Sequence, residues 1–392
     1  MTVPQTLDHA AAGRSAPAPR GRLRSLDGLR GVASVVVLAH HSLLIVPSLA
    51  APYYGEAVEG RVATLFVRTP LHLFWAGTEA VYLFFVLSGL VLTLASRSRA
   101  FTWSSYFPSR IVRLYLPVLA AILFAALMIA ALPRGRGSPE SMWMQRRPDH
   151  YSLTSMLIDG TLINGTTGAV SPLWSLKWEV LFSVLLPVFI LGLRRVPASV
   201  QIPFYLALSL LGEVTGVSTL KYLPMFGVGV ALAAIWDRIG SQTQRVQGAA
   251  AGFVWTAVVL VSLCLVMSYW ALTAVLSYRR AEVVTLIPIL LGVTGLVVAA
   301  GHAPVVRRLL SSRVFVFLGM ISFSLYLVHE PIVVAIGSVV SRPAETVVFA
   351  LPAGLLVAYA FYLVIERPSH LVSQRIRRAV QQSDSESQRA SV

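Results

Sequence analysis

The chain has 392 residues, 56% of them apolar or aromatic and only 12% charged, about half the charged share of an ordinary soluble domain, so a water-soluble globule is excluded. Its net charge is +15, and apart from Lys177 and Lys221 every cation is an arginine, a bias that points to a GC-rich, bacterial genome. The arginines fall in short clusters between apolar runs, the pattern of membrane topology and not of a groove-binding stripe, so the lipid bilayer is an expected partner and nucleic acid is not. Cys264 is the single cysteine and lies inside an apolar run, which excludes a disulfide framework, a thiolate metal site and a redox Cys-x-x-Cys pair.

In chain order, residues 1–24, rich in Ala, Pro and Arg, read as a disordered cytoplasmic tail. Ten apolar runs then follow that can cross about 30 Å of hydrocarbon, near 27–48, 73–95, 112–132, 173–193, 199–217, 222–236, 249–271, 283–300, 314–336 and 346–365. With the N-terminus inside, inside segments hold about two cations for each one outside, which assigns both termini to the cytoplasm. A cleavable leader ending at Ser48-Leu49-Ala50 is disfavoured, because its apolar region would carry Arg30, His40 and His41. The segment 133–172 is the longest outside connection and reads as a functional cover. Residues 373–392 are basic and then Ser/Gln-rich and read as a second cytoplasmic tail, disordered from 381 onward. The predicted fold is an all-α integral membrane bundle of about ten transmembrane helices, one domain over 25–372, in the plasma membrane.

An ionisable group within a span costs roughly 2.5–3.5 kcal/mol on insertion scales, so each needs a reason. Here they are Arg30, His40, His41, Glu79, Lys177, Glu179, Glu213, His329 and Glu330. Glu213 and Glu330 read as members of ion pairs that lock helices together. Asp27 and Arg30 stand three apart at the start of the first span, where a local pair can form. His41 is eleven residues beyond Arg30, three turns plus about 20°, so the two share a helix face about 16 Å apart along the axis. That stripe, a cation at one end and an imidazole at depth, suits a long donor with phosphates at one end and a reactive carbonyl at the other. His40 points about 100° away and reads as a packing residue.

Arg110 and Arg113 are one turn apart on the third span; they are either positive-inside anchors or a bidentate phosphate site. Ser175 and Glu179 share a face of the fourth span, and Lys177, about 200° from each, cannot pair with Glu179 locally. Glu179, an acid near the outer half of the span flanked by Trp174 and Trp178, could hold a sugar hydroxyl or orient an imidazole. No G-x-x-x-x-G-K-[ST], H-E-x-x-H or G-x-S-x-G occurs, so ATP-driven transport, zinc proteolysis and serine hydrolysis lack support. A transporter would also use many spans, yet the charges concentrate on spans one, two and four instead of recurring in matched pairs.

Six segments in order, Arg24-Ser25-Leu26-Asp27-Gly28-Leu29-Arg30-Gly31 through His41, Phe84-Phe85-Val86-Leu87-Ser88-Gly89, Arg110-x-x-Arg113, Trp174-Ser175-Leu176-x-x-Glu179, Ser322-Phe323-Ser324-Leu325-Tyr326-Leu327-Val328-His329 and Glu366-Arg367-Pro368, resemble the membrane acyltransferase-3 family. The resemblance implies O-acyl transfer from cytoplasmic acyl-CoA, as co-substrate with no bound cofactor or metal, to a sugar hydroxyl of a surface glycan, glycolipid or glycosylated natural product. It implies Arg30, Arg110 and Arg113 as donor-binding residues and His41 with Glu179 as the catalytic pair, with Asp27, Glu79, Trp174, Ser175 and His329 as supports on the acceptor side. His41 would take the acceptor's proton, or carry the acyl group covalently. Many members have an Asp before Leu-Phe-Phe where this chain has Tyr82, with Glu79 three residues earlier. The absence of a hydrolase-like segment after the last span matches single-domain members.

Overall fold

A computed structural model describes residues 20–132, 141–243, 248–340 and 342–390; most of the expected N-terminal tail, residues 1–19, lies outside the described residues. Every regular element among them is helical. The long helices are α1 (Arg20–Leu43), α2 (Gly77–Ser96), α3 (Trp103–Ala131), α4 (Leu173–Arg195), α5 (Ala198–Thr215), α6 (Ser218–Thr243), α7 (Gly248–Val266), α8 (Tyr278–His302), α9 (Arg313–Val339), α10 (Pro343–Phe361) and α11 (Arg367–Ala390).

Eight helices among the described residues are long and apolar enough to cross a membrane, and nine if the first is counted together with the bent segment after it. The expected count of about ten is therefore reduced at two places. The first run does not continue to residue 48: α1 stops at Leu43, and the chain turns by 120° into a short helix starting at Pro47. Val46 precedes that proline and is extended, at φ −76° and ψ 115°, because a residue before proline is pushed out of the α region. The seventh run also stops early, its apolar helix being Ala250–Val266, with Ser268–Leu272 forming a separate short helix.

The last run departs in the other direction. After α10 the chain passes through a π-helical turn, Tyr362–Glu366, and continues as α11 to Ala390. Residues 381–390 are thus helical where an irregular tail was expected. Tertiary contacts override their polar composition: α11 lies along α3, with Ser373 Oγ donating to the Ser109 carbonyl (2.7 Å), the Gln381 amide to the Ala100 carbonyl (2.6 Å) and Ser104 Oγ to Asp384 (2.6 Å).

The most extensive helix pairing is α1 on α9, and glycine makes it possible. A Cβ on Gly31 would lie 2.4 Å from the Gly319 nitrogen, and one on Gly319 would lie 2.2 Å from the Asp27 carbonyl oxygen. The backbones touch there, as small residues allow in membrane bundles. Gly89 and Gly229 do the same for α2 against α6. Gly31→Ala should therefore destabilise the protein by about 1–3 kcal/mol, read as a lower thermal midpoint in detergent. Gly192→Ala, where nothing lies within 4 Å of the added methyl, should leave the midpoint unchanged or slightly raised.

Candidate active site

A cavity of about 470 Å³ opens at the end of the bundle where α1 begins, between α1, α2, α3, α4, α9 and the start of α11. Its charged lining is Arg30 and Asp27 from α1, Arg110 and Arg113 from α3, Glu179 from α4 and Glu366 from the π turn. Helical spacing puts them there, since Arg110 and Arg113, like Ser175 and Glu179, are one turn apart and face the same way. Ser88, Tyr326 and His370 complete the polar lining, and Phe84 and Phe85 supply part of the apolar wall.

The three guanidiniums are not equivalent. Arg110 forms an ion pair with Glu179 and donates from Nε to Ser183 Oγ (3.1 Å), while Ser88 Oγ donates to the same Glu179 oxygen (2.7 Å). Arg110 is thereby committed to bracing α3 against α4. Arg30 is held loosely by Asp27, at 3.9 Å across one turn, the local pair its spacing predicts. Arg113 lines the cavity with no hydrogen bond or close ion pair among the described residues, and the carboxylates that act on it at longer range are Glu366 and Glu179. Glu366, the carboxylate of the π turn, feels the charges of Arg113 and Arg30 and accepts from the backbone N–H of Ser324 (3.0 Å) and from its hydroxyl.

His41 lies at the other end of the α1 stripe, and the cavity lining does not include it. The cavity runs as far as Ser175 Oγ and the Tyr326 hydroxyl, which are hydrogen-bonded at 2.6 Å. The Tyr326 ring stands 6.1 Å from that of His329, one turn on along α9. His329 Nε2 in turn lies 2.7 Å from His41 Nδ1. His41 is flanked on its other side by Trp143, with ring centroids 5.5 Å apart and planes 26° apart. His40 takes the packing role expected of it: it is buried, its Nδ1 lies 3.0 Å from the Trp75 carbonyl, and its ring packs on Trp75 and Tyr53.

Two expectations change. Among the described residues no hydrogen bond joins Glu179 to His41; the carboxylate belongs to the arginine cavity, and the group that meets the imidazole is His329. Trp174 does not line the cavity but packs on Tyr222 (5.1 Å between centroids) and Phe85 (6.3 Å). Lys177 stacks over Trp178 and does not pair with Glu179. Glu79 is buried at the start of α2 on the His40 side, and its Oε2 has no hydrogen-bond partner among the described residues.

Glu213 and Glu330 both sit in ion pairs between elements, with Lys221 and Arg279 for the first and Arg147 for the second. The Arg147 pair closes the long connection over the histidines: Arg147 stacks on Trp143 at 4.9 Å, and Glu330 also accepts from the Ser171 N–H. Sequence reasoning gave no role to Trp143, Arg147, Tyr326, Glu366 or Ser88. For Tyr326 a signal existed, its position one turn before His329. For Arg147 none did, because its partner is 183 positions away.

The brace is testable. Arg110→Ala should cost on the order of 3–5 kcal/mol, because it leaves the Glu179 carboxylate without its cation. Combining Arg110→Met with Glu179→Leu should recover most of that loss in the thermal midpoint, whereas simple addition of two single losses would show that the pair is not coupled.

The acyltransferase-3 sequence model, described as an acyltransferase domain, matches residues 23–365. Relatives include the acyltransferase MdmB of Streptomyces mycarofaciens, 28% identical over 45% of this chain and 41% of its own length. The O-acetyltransferase PaAT-1 of Phomopsis amygdali is 24% identical over 81% of this chain and 73% of its own. Acyltransferase clz18 of Cochliobolus lunatus is 26% identical over 80% of this chain and 83% of its own. The match to the first thus spans less than half of that protein, whereas the two fungal matches span most of theirs. No solved structure matches the chain. With the family model covering nearly the whole of a multi-pass helical bundle, the chain belongs to the acyltransferase-3 family.

Proposed function

We propose that the protein is an integral membrane O-acyltransferase that moves an acetyl or other short acyl group from acyl-CoA to a sugar hydroxyl, in a cell-surface glycan, a glycolipid or a glycosylated natural product. The observation that carries this reading is the arginine cavity on the same α1 stripe as His41. Together the stripe and the cavity offer phosphate-binding cations at one end and, deeper along α1, a base. The name O-acetyltransferase borne by one relative favours an acetyl group and a hydroxyl acceptor.

In this reading both termini and the arginine cavity face the cytoplasm of the cell whose plasma membrane holds the protein, in line with the positive-inside bias. Arg113 and Arg30 take the CoA phosphates, and Arg110, braced by Glu179, fixes the wall behind them. The thioester passes the Ser175–Tyr326 pair to reach His41. There the acceptor O–H bond breaks and its proton goes to His41. The oxygen bonds to the thioester carbon, the C–S bond breaks, and the proton passes from the imidazolium to the departing thiolate. Imidazole suits both transfers because its ordinary pKa of about 6.5 lies near working pH.

The direct test is to incubate membranes containing the protein with radiolabelled acetyl-CoA and to follow CoA release that depends on an added glycoside. Release without acceptor dependence, or none at all, would count against the reading. Arg113→Lys keeps the charge but loses the guanidinium's forked contact, so it should raise the KM for acyl-CoA while protein levels persist; an unchanged KM would reduce Arg113 to a topology anchor. His41→Ala should lower transfer at least about a hundredfold in a membrane-inserted protein, with His40→Ala staying within roughly tenfold. The two rings are of equal size at similar depth, so equal losses would point to packing instead of chemistry.

A further inference from the structure

His329 Nδ1 lies 2.8 Å from the backbone carbonyl oxygen of Leu325. A carbonyl oxygen can only accept, so Nδ1 carries the hydrogen. A neutral imidazole has one N–H, so His329 Nε2 presents a lone pair. That lone pair faces His41 Nδ1 at 2.7 Å. Two lone pairs cannot meet at that distance, so His41 Nδ1 must be the donor, and the lone pair of His41 is then on Nε2.

We infer that His329 is the positioning residue of the acyl transfer: anchored by the Leu325 carbonyl, it fixes the tautomer of His41 so that Nε2 is the nitrogen that takes the acceptor's proton. The inference rests on the reading of His41 as the base and goes beyond it by assigning the atom and the residue that selects it. When Nε2 is protonated, the Nδ1–H stays hydrogen-bonded to the His329 lone pair, so the transient charge on the His41 ring keeps an acceptor beside it.

Among the described residues no carboxylate stands in for His329. Glu330, the next residue, is occupied by Arg147 and the Ser171 N–H. Among the described residues, the charged and titratable groups around His41 are His40 on α1, with its ring 5.1 Å away, His329 and Glu330 on α9, and Arg147, stacked on Trp143. Trp143 packs on the His41 ring, with centroids 5.5 Å apart, so Trp143 helps to set the ring's orientation and His329 sets its proton.

Nitrogen-15 spectra of histidine-labelled protein, unmodified and with His41 or His329 replaced for assignment, read the tautomers directly. The expected result is a protonated Nδ1 and an unprotonated Nε2 on both rings near neutral pH; a protonated Nε2 on His41 overturns the inference even if His41→Ala is inactive. A second arm compares His329→Gln, whose amide oxygen can still accept from Nδ1–H, with His329→Leu, which cannot. The Gln variant should keep kcat within about tenfold. The Leu variant should lose about a hundredfold or more in kcat with little change in KM. The acid limb of its kcat/KM profile should move to lower pH, because the imidazolium has lost its acceptor. Equal losses in the two variants, with unmoved pH profiles, would reduce His329 to packing. If His41→Ala itself remained active, the base assignment would fail, whatever the spectra show.

Discussion

The close backbone contact between α1 and α9 is the constraint on which the rest of the site depends. α1 alone carries a cation at the cavity and an imidazole three turns deeper, but a lone imidazole in an apolar bundle has no defined proton. α9 supplies what is missing, because contact at Gly31 and Gly319 brings Tyr326 and His329 alongside the same stretch of α1. A wider helix separation would leave His41 and His329 beyond hydrogen-bond distance. Gly31, in the Asp27-Gly28-Leu29-Arg30-Gly31 segment, is thus tied to the site through helix spacing, and not through any contact of its own with the cavity.

The cavity meets a second constraint, the cost of charge inside a membrane protein. Three guanidiniums line it, and three carboxylates, Asp27, Glu179 and Glu366, accompany them. Unpaired charges at this depth cost several kcal/mol each, and partners with good geometry offset that cost. The pairing is graded: Arg110 is fully engaged with Glu179, Arg30 is loosely held, and Arg113 faces the cavity. On the proposed reading, an incoming phosphate would meet cations that are stabilised in its absence but not consumed. The π turn contributes to this gradation, since it places Glu366 toward the arginines while Ser324 takes up one of its oxygens. Such turns interrupt regular helices frequently at functional sites.

What the sequence revealed followed the range of the interaction. Arg30 and His41, Arg110 and Arg113, and Ser175 and Glu179 lie within one helix each, and 3.6-residue geometry placed them correctly on shared faces. The packing role of His40 and the failure of Lys177 to reach Glu179 come from the same geometry. Partners from distant segments were not legible: His329 meets His41 across 288 positions, and Arg147 meets Glu330 across 183. The partner of Glu179 was not legible for the same reason, as its helix face was readable but the neighbour across it, Arg110, is set by packing. Span ends failed where local chemistry beat hydropathy, at Pro47 for α1, and where tertiary contact beat composition, along α11 on α3.

A histidine partner for His41 has an electrostatic logic in this setting. A carboxylate in the place of His329 would add a permanent charge in the apolar middle of the bundle, and its desolvation would have to be met by a further cation. A neutral imidazole anchored by a backbone carbonyl performs the same tautomer selection with no net charge while the site is idle. In the proposed transfer, charge arises only when the acceptor's proton arrives, and it lasts only until the thiolate leaves with that proton. The buried carboxylate that does lie beside this pair, Glu330, is neutralised by Arg147 on the covering segment, so that the ion pair which closes the site also keeps its negative charge from competing for the proton on His41.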